Sequence, residues 1–350
     1  MTGRLPYREV ALTLLLTLLV LSLAACGPSR EAGQGPEENA GREEEAPPPP
    51  EPAESPELEE EPAGEVVEIG AGPEGIVADP ETGLVAVGAR EPARLLLVDG
   101  ESGETVSETD LPSPTRHLAL AAPGGPVLAT AERSDEFFRI GLPDGEVLSR
   151  TPVQEFPHNA AASGDRVFVI NEFESTMSVI EDGEVVETIE TPLWPGGVAV
   201  TEGGSVAVLG VRGLAVELYD ARTLESLGRA DAGEGPTHVA AGPEDGLYVA
   251  DTRGDAILSY ETGPELERVE RTPLPGSPYG VALDPRREEL WITLTAENAL
   301  VRFDVGAGEP RETGRYPTVR QPNTVTVDPQ SGRVYVAGRE EGELQVVDPA

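Results

Sequence analysis

The sequence has no lysine, one cysteine, three histidines and few aromatic residues, 4% of 350. A single cysteine excludes an intrachain disulfide framework and cysteine-based zinc sites. No Cys-x-x-Cys-His run is present, which excludes a c-type haem, and there is neither a serine nucleophile elbow nor a glycine-rich phosphate loop. Positive charge is also scarce: 25 arginines face 64 acidic residues, for a formal net charge of -39. A surface this acidic repels phosphate backbones, so nucleic acid is excluded as a partner. The charge is uneven, with +1 over residues 1–26, -10 over residues 27–64 and -30 over residues 65–350. The folded part is therefore acidic in its own right.

What is present begins with an export signal. Arg4 and Arg8 precede an apolar run from Val10 to Ala25, which is short for a membrane-spanning helix and suits a signal-peptide core. Its ending, Leu23-Ala24-Ala25-Cys26, resembles the bacterial lipobox. That resemblance implies cleavage after residue 25 and a lipidated Cys26, with the mature protein held in the cell envelope, outside the cytoplasm, by its membrane anchor. Residues 26–64 follow as a proline- and glutamate-rich stretch with almost no large apolar side chains, and Pro47 to Pro50 are consecutive. Such a composition cannot bury a core of its own and predicts a disordered tether. It would reach roughly 100 Å as polyproline or roughly 35 Å as a flexible coil.

Residues 65–350 carry an internal repeat. A proline, two variable residues and a small-apolar strand recur at Pro73, Pro114, Pro157, Pro195, Pro236, Pro278 and Pro322, spaced by 41, 43, 38, 41, 42 and 44 residues. In each unit a glycine-containing turn leads to an alternating strand, such as Val167-Phe-Val-Ile170 or Leu247-Tyr-Val-Ala250. A polar loop, a third strand that usually ends in an acid and a more polar fourth strand complete the unit. Period-two alternation with frequent turns predicts four-stranded antiparallel blades, and blocks of about 42 residues predict an all-β, seven-bladed propeller. The seventh unit carries three strands before Ala350, while Gly64-Glu-Val-Val-Glu-Ile-Gly70 supplies a strand ahead of Pro73. The N-terminal strand is expected to complete the last blade and remove the open edges.

Arg166-Val-Phe-Val-Ile-Asn-Glu-Phe-Glu-Ser-Thr-Met-Ser-Val-Ile180, with Val-Ile-Asn171 in the signature position, resembles the YVTN-type seven-bladed repeat proteins of bacterial envelopes. Arg333-Val-Tyr-Val-Ala-Gly338 is similar. This resemblance implies a fold more than a function, because relatives include lactonases, a streptogramin lyase, haem-carrying domains and binding proteins.

Propeller geometry places the residues after each anchor proline, and the loop after each second strand, around one channel mouth. All three histidines, His117, His158 and His238, fall within three residues of an anchor proline, and Phe156 and Trp194 immediately precede one. The leading expectation is a ligand or protein partner bound at this rim. Arg116 pairs an anionic group, His158, Asn159, His238, Tyr279 and Asn323 orient it, and Trp194 with Phe156 forms an apolar wall. A second reading is a metal-dependent lactonase-type hydrolase, with Glu74, Asn159, Asn171 and Asp251 as candidate ligands for a divalent metal. The Glu-x-His pair of streptogramin lyases is absent. A third is a non-catalytic scaffold for an envelope protein. A lone propeller needs no partner subunit, so a monomer is expected.

Overall fold

The computed structural model describes residues 46–70, 72–263, 266–306 and 309–349. The expected signal peptide, Cys26 and the tether up to residue 45 lie outside the described residues. No described helix is long and apolar enough to cross a membrane. The architecture is a seven-bladed β-propeller of four-stranded antiparallel sheets. The first strands of neighbouring blades contact one another around the centre. In six blades that strand starts on the anchor proline: Pro73, Pro157, Pro195, Pro236, Pro278 or Pro322. Proline suits the first position of a strand because it removes no interior ladder donor. The second blade differs. Its short first strand is Leu118–Leu120, and Pro114 stays outside it while its carbonyl accepts from the Glu132 N–H at 3.1 Å.

The seventh blade is closed by the N-terminal strand. Glu65–Glu68 pairs antiparallel with Glu343–Val347, in a register running from Glu65 opposite Val346 to Glu68 opposite Glu343. Second strands such as Val127–Ala131, Leu247–Asp251 and Val334–Gly338 are buried at every position, because neighbouring blades cover both faces. Fourth strands are mostly exposed, and Thr105–Asp110 and Ser226–Asp231 bury no residue, which explains their polarity. The apolar core is divided among the seven blade interfaces. One of these joins Tyr335, Ala337 and Leu344 of the last blade to Ile76, Val85 and Val87 of the first. Removing apolar surface from water at that seam is what holds the ring shut.

Residues 46–62, which the composition assigns to the tether, lie along the propeller. The segment crosses the channel mouth, passes over the sixth blade and reaches Ala63, whose N–H donates to Pro317 O at 2.9 Å. Pro50 and Ser55 are buried.

Candidate functional site

Two repeated backbone devices build the mouth. The ladder slips just after the anchor proline, between Pro157 and Asn159, Pro195 and Gly197, Pro236 and His238, and Pro278 and Val281. Such bulges free the intervening residue and turn its side chain to the rim. His158, Gly196, Thr237 and Tyr279 reach the mouth in this way. The second device concerns the residue before the proline. Phe156 and Trp194 have positive φ, 58° and 53°, a conformation bulky side chains seldom adopt without support. That support comes from the preceding blade. Asp135 Oδ1 accepts from the Phe156 N–H at 3.1 Å, and Ser175 Oγ accepts from the Trp194 N–H at 3.1 Å. Asp255 holds Ser277 at 3.0 Å in the same manner.

The resulting pocket, about 200 Å³, brings together six of the residues expected to bind a ligand: Arg116, Phe156, His158, Trp194, His238 and Tyr279. Phe156 stacks on Phe173 with centroids 4.3 Å apart, Phe173 tilts against Trp194 at 5.2 Å, and the Arg212 guanidinium lies 4.7 Å over the Trp194 ring. The aromatic wall therefore has three rings. Asn159 and Asn323 are placed elsewhere. Asn159 faces a separate cavity of about 350 Å³ deeper in the channel, which His117 and His238 also border. Asn323 is buried, and its Oδ1 accepts from Gln321 Nε2 at 3.0 Å.

His117 sits at the centre of the site, with its ring 5.0 Å from His158 and 5.1 Å from His238. The three imidazoles converge from the second, third and fifth blades. Burial pushes His117 well below the usual histidine range, and His158, His238 and Arg116 add to the shift. His238 is lowered to about 3, first by burial and then by His158 and Arg116. Both rings are neutral at physiological pH. Neither ring nitrogen of His238 has a hydrogen-bond partner among the described residues. Tyr279, packed edge-on at 4.6 Å, has its phenol pushed upward by burial. His158 differs from both, because its Nδ1 lies 2.8 Å from Glu172 Oε2. Burial works to raise the Glu172 carboxyl, but His158 and Arg116 outweigh it and hold the group below the carboxylate range. Glu172 stands in the loop after the second strand of the same blade, so its rim position was legible but its pairing was not.

Beside the histidines runs an ion-pair chain. Arg90 bonds Glu74 at 2.5 Å and Glu132 at 3.4 Å, Arg116 Nε bonds Glu132 at 2.8 Å, and Arg339 lies 3.6 Å from Glu74. Three guanidiniums thus face two carboxylates along this chain, while Glu172, which Arg116 also helps hold low, and Glu51 line the same pocket. Arg116, expected to meet a ligand anion, already carries Glu132. Burial opposes its charge, but Glu74 and Glu132 keep it firmly protonated.

Each of the four residues expected to ligate a metal has bonding partners within the protein. Glu74 is committed to Arg90 and Arg339. The Asn171 Nδ2 donates to Thr176 and Ser178 at 3.1 and 3.0 Å, inside a fully buried strand end. The Asp251 carboxylate accepts from the N–H groups of Glu234, Gly235 and Gly254, a turn-fixing role. Asn159 Oδ1 accepts from the Ala160 N–H at 2.7 Å. Among the described residues no group of three or more His, Cys, Asp or Glu side chains is arranged to hold a metal ion. The acids at the rim serve arginines and backbone turns.

No family model and no curated protein matches the chain. Solved propellers resemble it in fold. A hydrazine synthase chain from Kuenenia stuttgartiensis superposes with a TM-score of 0.71 at 16% identity, covering 81% of this chain and 97% of that one. A streptogramin B lyase gives 0.67 at 14% identity over 81% and 96%, and virginiamycin B lyase from Staphylococcus aureus gives 0.66 at 16% over 81% and 99%. At these identities the likeness concerns the fold.

Proposed function

We propose that this chain is an exported, lipid-anchored propeller of the YVTN type whose channel mouth binds a small organic anion with a flat apolar portion. The observation that carries the reading is at the pocket floor. A shielded, neutral His238 leaves both nitrogens unpaired among the described residues, beside the Arg116 end of the ion-pair chain. Buried polar atoms are nearly always satisfied in native proteins, so an orphaned imidazole in a pocket marks a place for a partner. The Arg116 guanidinium in the pocket lining favours an anionic group, and Phe156, Phe173 and Trp194 offer an apolar wall to the rest of the molecule. A thermal-shift screen of aromatic carboxylates, sulfonates and phosphates tests this. Some are expected to raise the melting temperature of the wild type and not of Arg116→Ala with His158→Ala. An equal response in both proteins overturns it.

A second reading has its own observation. The His158–Glu172 pair at 2.8 Å is the arrangement of a general base with its orienting carboxylate, so the mouth is suited to hydrolysing or rearranging a bound ester or lactone. Turnover of a bound ester that disappears in Glu172→Gln separates catalysis from binding. The lipid anchor rests on the lipobox ending at Cys26, and the family assignment on the Arg166–Ile180 repeat.

A further inference from the structure

The segment across the mouth is held mainly through its main chain. Arg212 donates to Pro47 O at 2.9 Å and to Ala46 O at 3.2 Å, and Arg253 donates to Pro48 O. Consecutive prolines favour an extended polyproline conformation with carbonyls free of internal hydrogen bonds, so a row of arginine donors suits them. Further along, the Gln321 side chain acts as a strand partner would. Its Nε2 donates to Ala53 O at 3.0 Å while its Oε1 accepts from the Ser55 N–H at 3.1 Å. Thr295 Oγ1 accepts from the Ala53 N–H at 3.0 Å, and Asn298 Nδ2 donates to Pro56 O at 2.9 Å. One side chain is read directly. Ser55, 2% exposed, donates its hydroxyl to Thr295 O at 2.6 Å and accepts from the Gln321 N–H at 3.2 Å. The reading residues come from the fourth to seventh blades, and Pro49, Pro50 and Glu51 border the pocket between them.

We infer that this rim is a peptide-binding track for an extended proline-rich segment carrying a serine before a proline. Residues 46–56 are its resident occupant in cis, and a segment of the same chemistry from another molecule takes the track when the resident leaves. Contacts to alternate backbone groups do not depend on most side chains, so recognition requires extension, prolines and the single serine. Covalent attachment gives the resident an effective concentration on the order of millimolar, which holds the track closed against dilute competitors. The occupied track also covers the mouth, so exchange of peptide would uncover the pocket. This inference does not rest on the identity of any pocket ligand.

The test uses a fluorescent peptide, Ala-Pro-Pro-Pro-Pro-Glu-Pro-Ala-Glu-Ser-Pro-Glu, with the full chain. Ser55→Arg puts a charge into a buried site and dislodges the resident. That variant is expected to bind the peptide at least tenfold more tightly than the wild type, and adding Gln321→Ala should remove the gain. Equal binding by Ser55→Arg and the wild type, with both folded by melting curve, overturns the inference. A second measurement leaves the protein unaltered. Glutamate-specific proteolysis after Glu54 of the wild type should accelerate severalfold in excess unlabelled peptide whose glutamates are replaced by glutamine so that the protease ignores it, and no acceleration counts against exchange. Failure of both with an intact small-anion response would sink the track alone. Peptide binding without an anion response would sink the pocket reading instead.

Discussion

Acid should destabilise this propeller through His238, and the size of the effect follows from its surroundings. The ring is lowered to about 3 in the folded chain against an ordinary 6.5, because burial and the nearby His158 and Arg116 disfavour its charge. The unfolded chain therefore takes up a proton below pH 6.5 that the folded chain refuses. Stability is unaffected above that value and falls by about 1.4 kcal/mol for each pH unit below it. At pH 5 His238 alone costs about 2 kcal/mol, an upper figure because the ring is only half-buried and borders a channel. His117 contributes with the same sign. Glu172, whose carboxyl is held low, adds a loss only as pH falls below its ordinary 4.5, outside this window. For a domain of this size 2 kcal/mol is roughly 3 °C in melting temperature. His238→Gln cannot take up the proton. Melting curves of both proteins at pH 7, 6 and 5 should show the wild type losing about 3 °C more than the variant between pH 7 and 5. Parallel losses would refute the argument, since changes in overall charge repulsion act on both proteins alike.

Other perturbations have distinct signatures. Arg90→Met leaves Glu132, 1% exposed, with Arg116 alone and Glu74 with Arg339 alone, and should cost about 3 kcal/mol in chemical denaturation. Asp251→Ala removes the acceptor of several backbone N–H groups, so it should lower stability by about 2 kcal/mol while leaving metal content unchanged between the two proteins. Cys26→Ala should move the protein from the membrane to the soluble fraction, as followed by fractionation of cells expressing the full chain. Deleting Glu65–Glu68 exposes the edge of Glu343–Val347 and opens the ring, so light scattering should report aggregation well below the wild-type melting temperature.

The repeat carried most of the fold because each blade spells out its own turn and strand pattern, and because Glu65–Glu68 could be matched to fourth strands such as Glu184–Glu190. It also placed His158, Trp194, His238 and Tyr279 at one mouth, because each lies within two residues of an anchor proline and the anchor prolines ring the channel. The docked segment escaped notice for a physical reason. Low apolar content shows that residues 46–62 cannot fold alone, but it says nothing about main-chain hydrogen bonds to another surface. The partners of the acids were illegible for a related reason: an Asp that fixes a turn, as Asp251 does, and an Asp in a metal site look alike until the backbone N–H groups around them are placed. His117 stands at the meeting point of the three imidazoles, a centrality that its distance of three residues from Pro114 does not reveal.

The central claim, that the mouth is a binding site, has an internal reporter. The two tryptophans divide cleanly, Trp291 fully buried between blades and Trp194 on the pocket wall. The decisive measurement is a fluorescence titration of the wild type and Trp194→Phe with the most stabilising anion from the screen. A saturable change in the wild type, lost in Trp194→Phe and weakened at least tenfold by Arg116→Ala with His158→Ala, is the predicted result. A change that survives in Trp194→Phe, or that ignores the Arg116 and His158 substitutions, would place binding elsewhere and contradict the account.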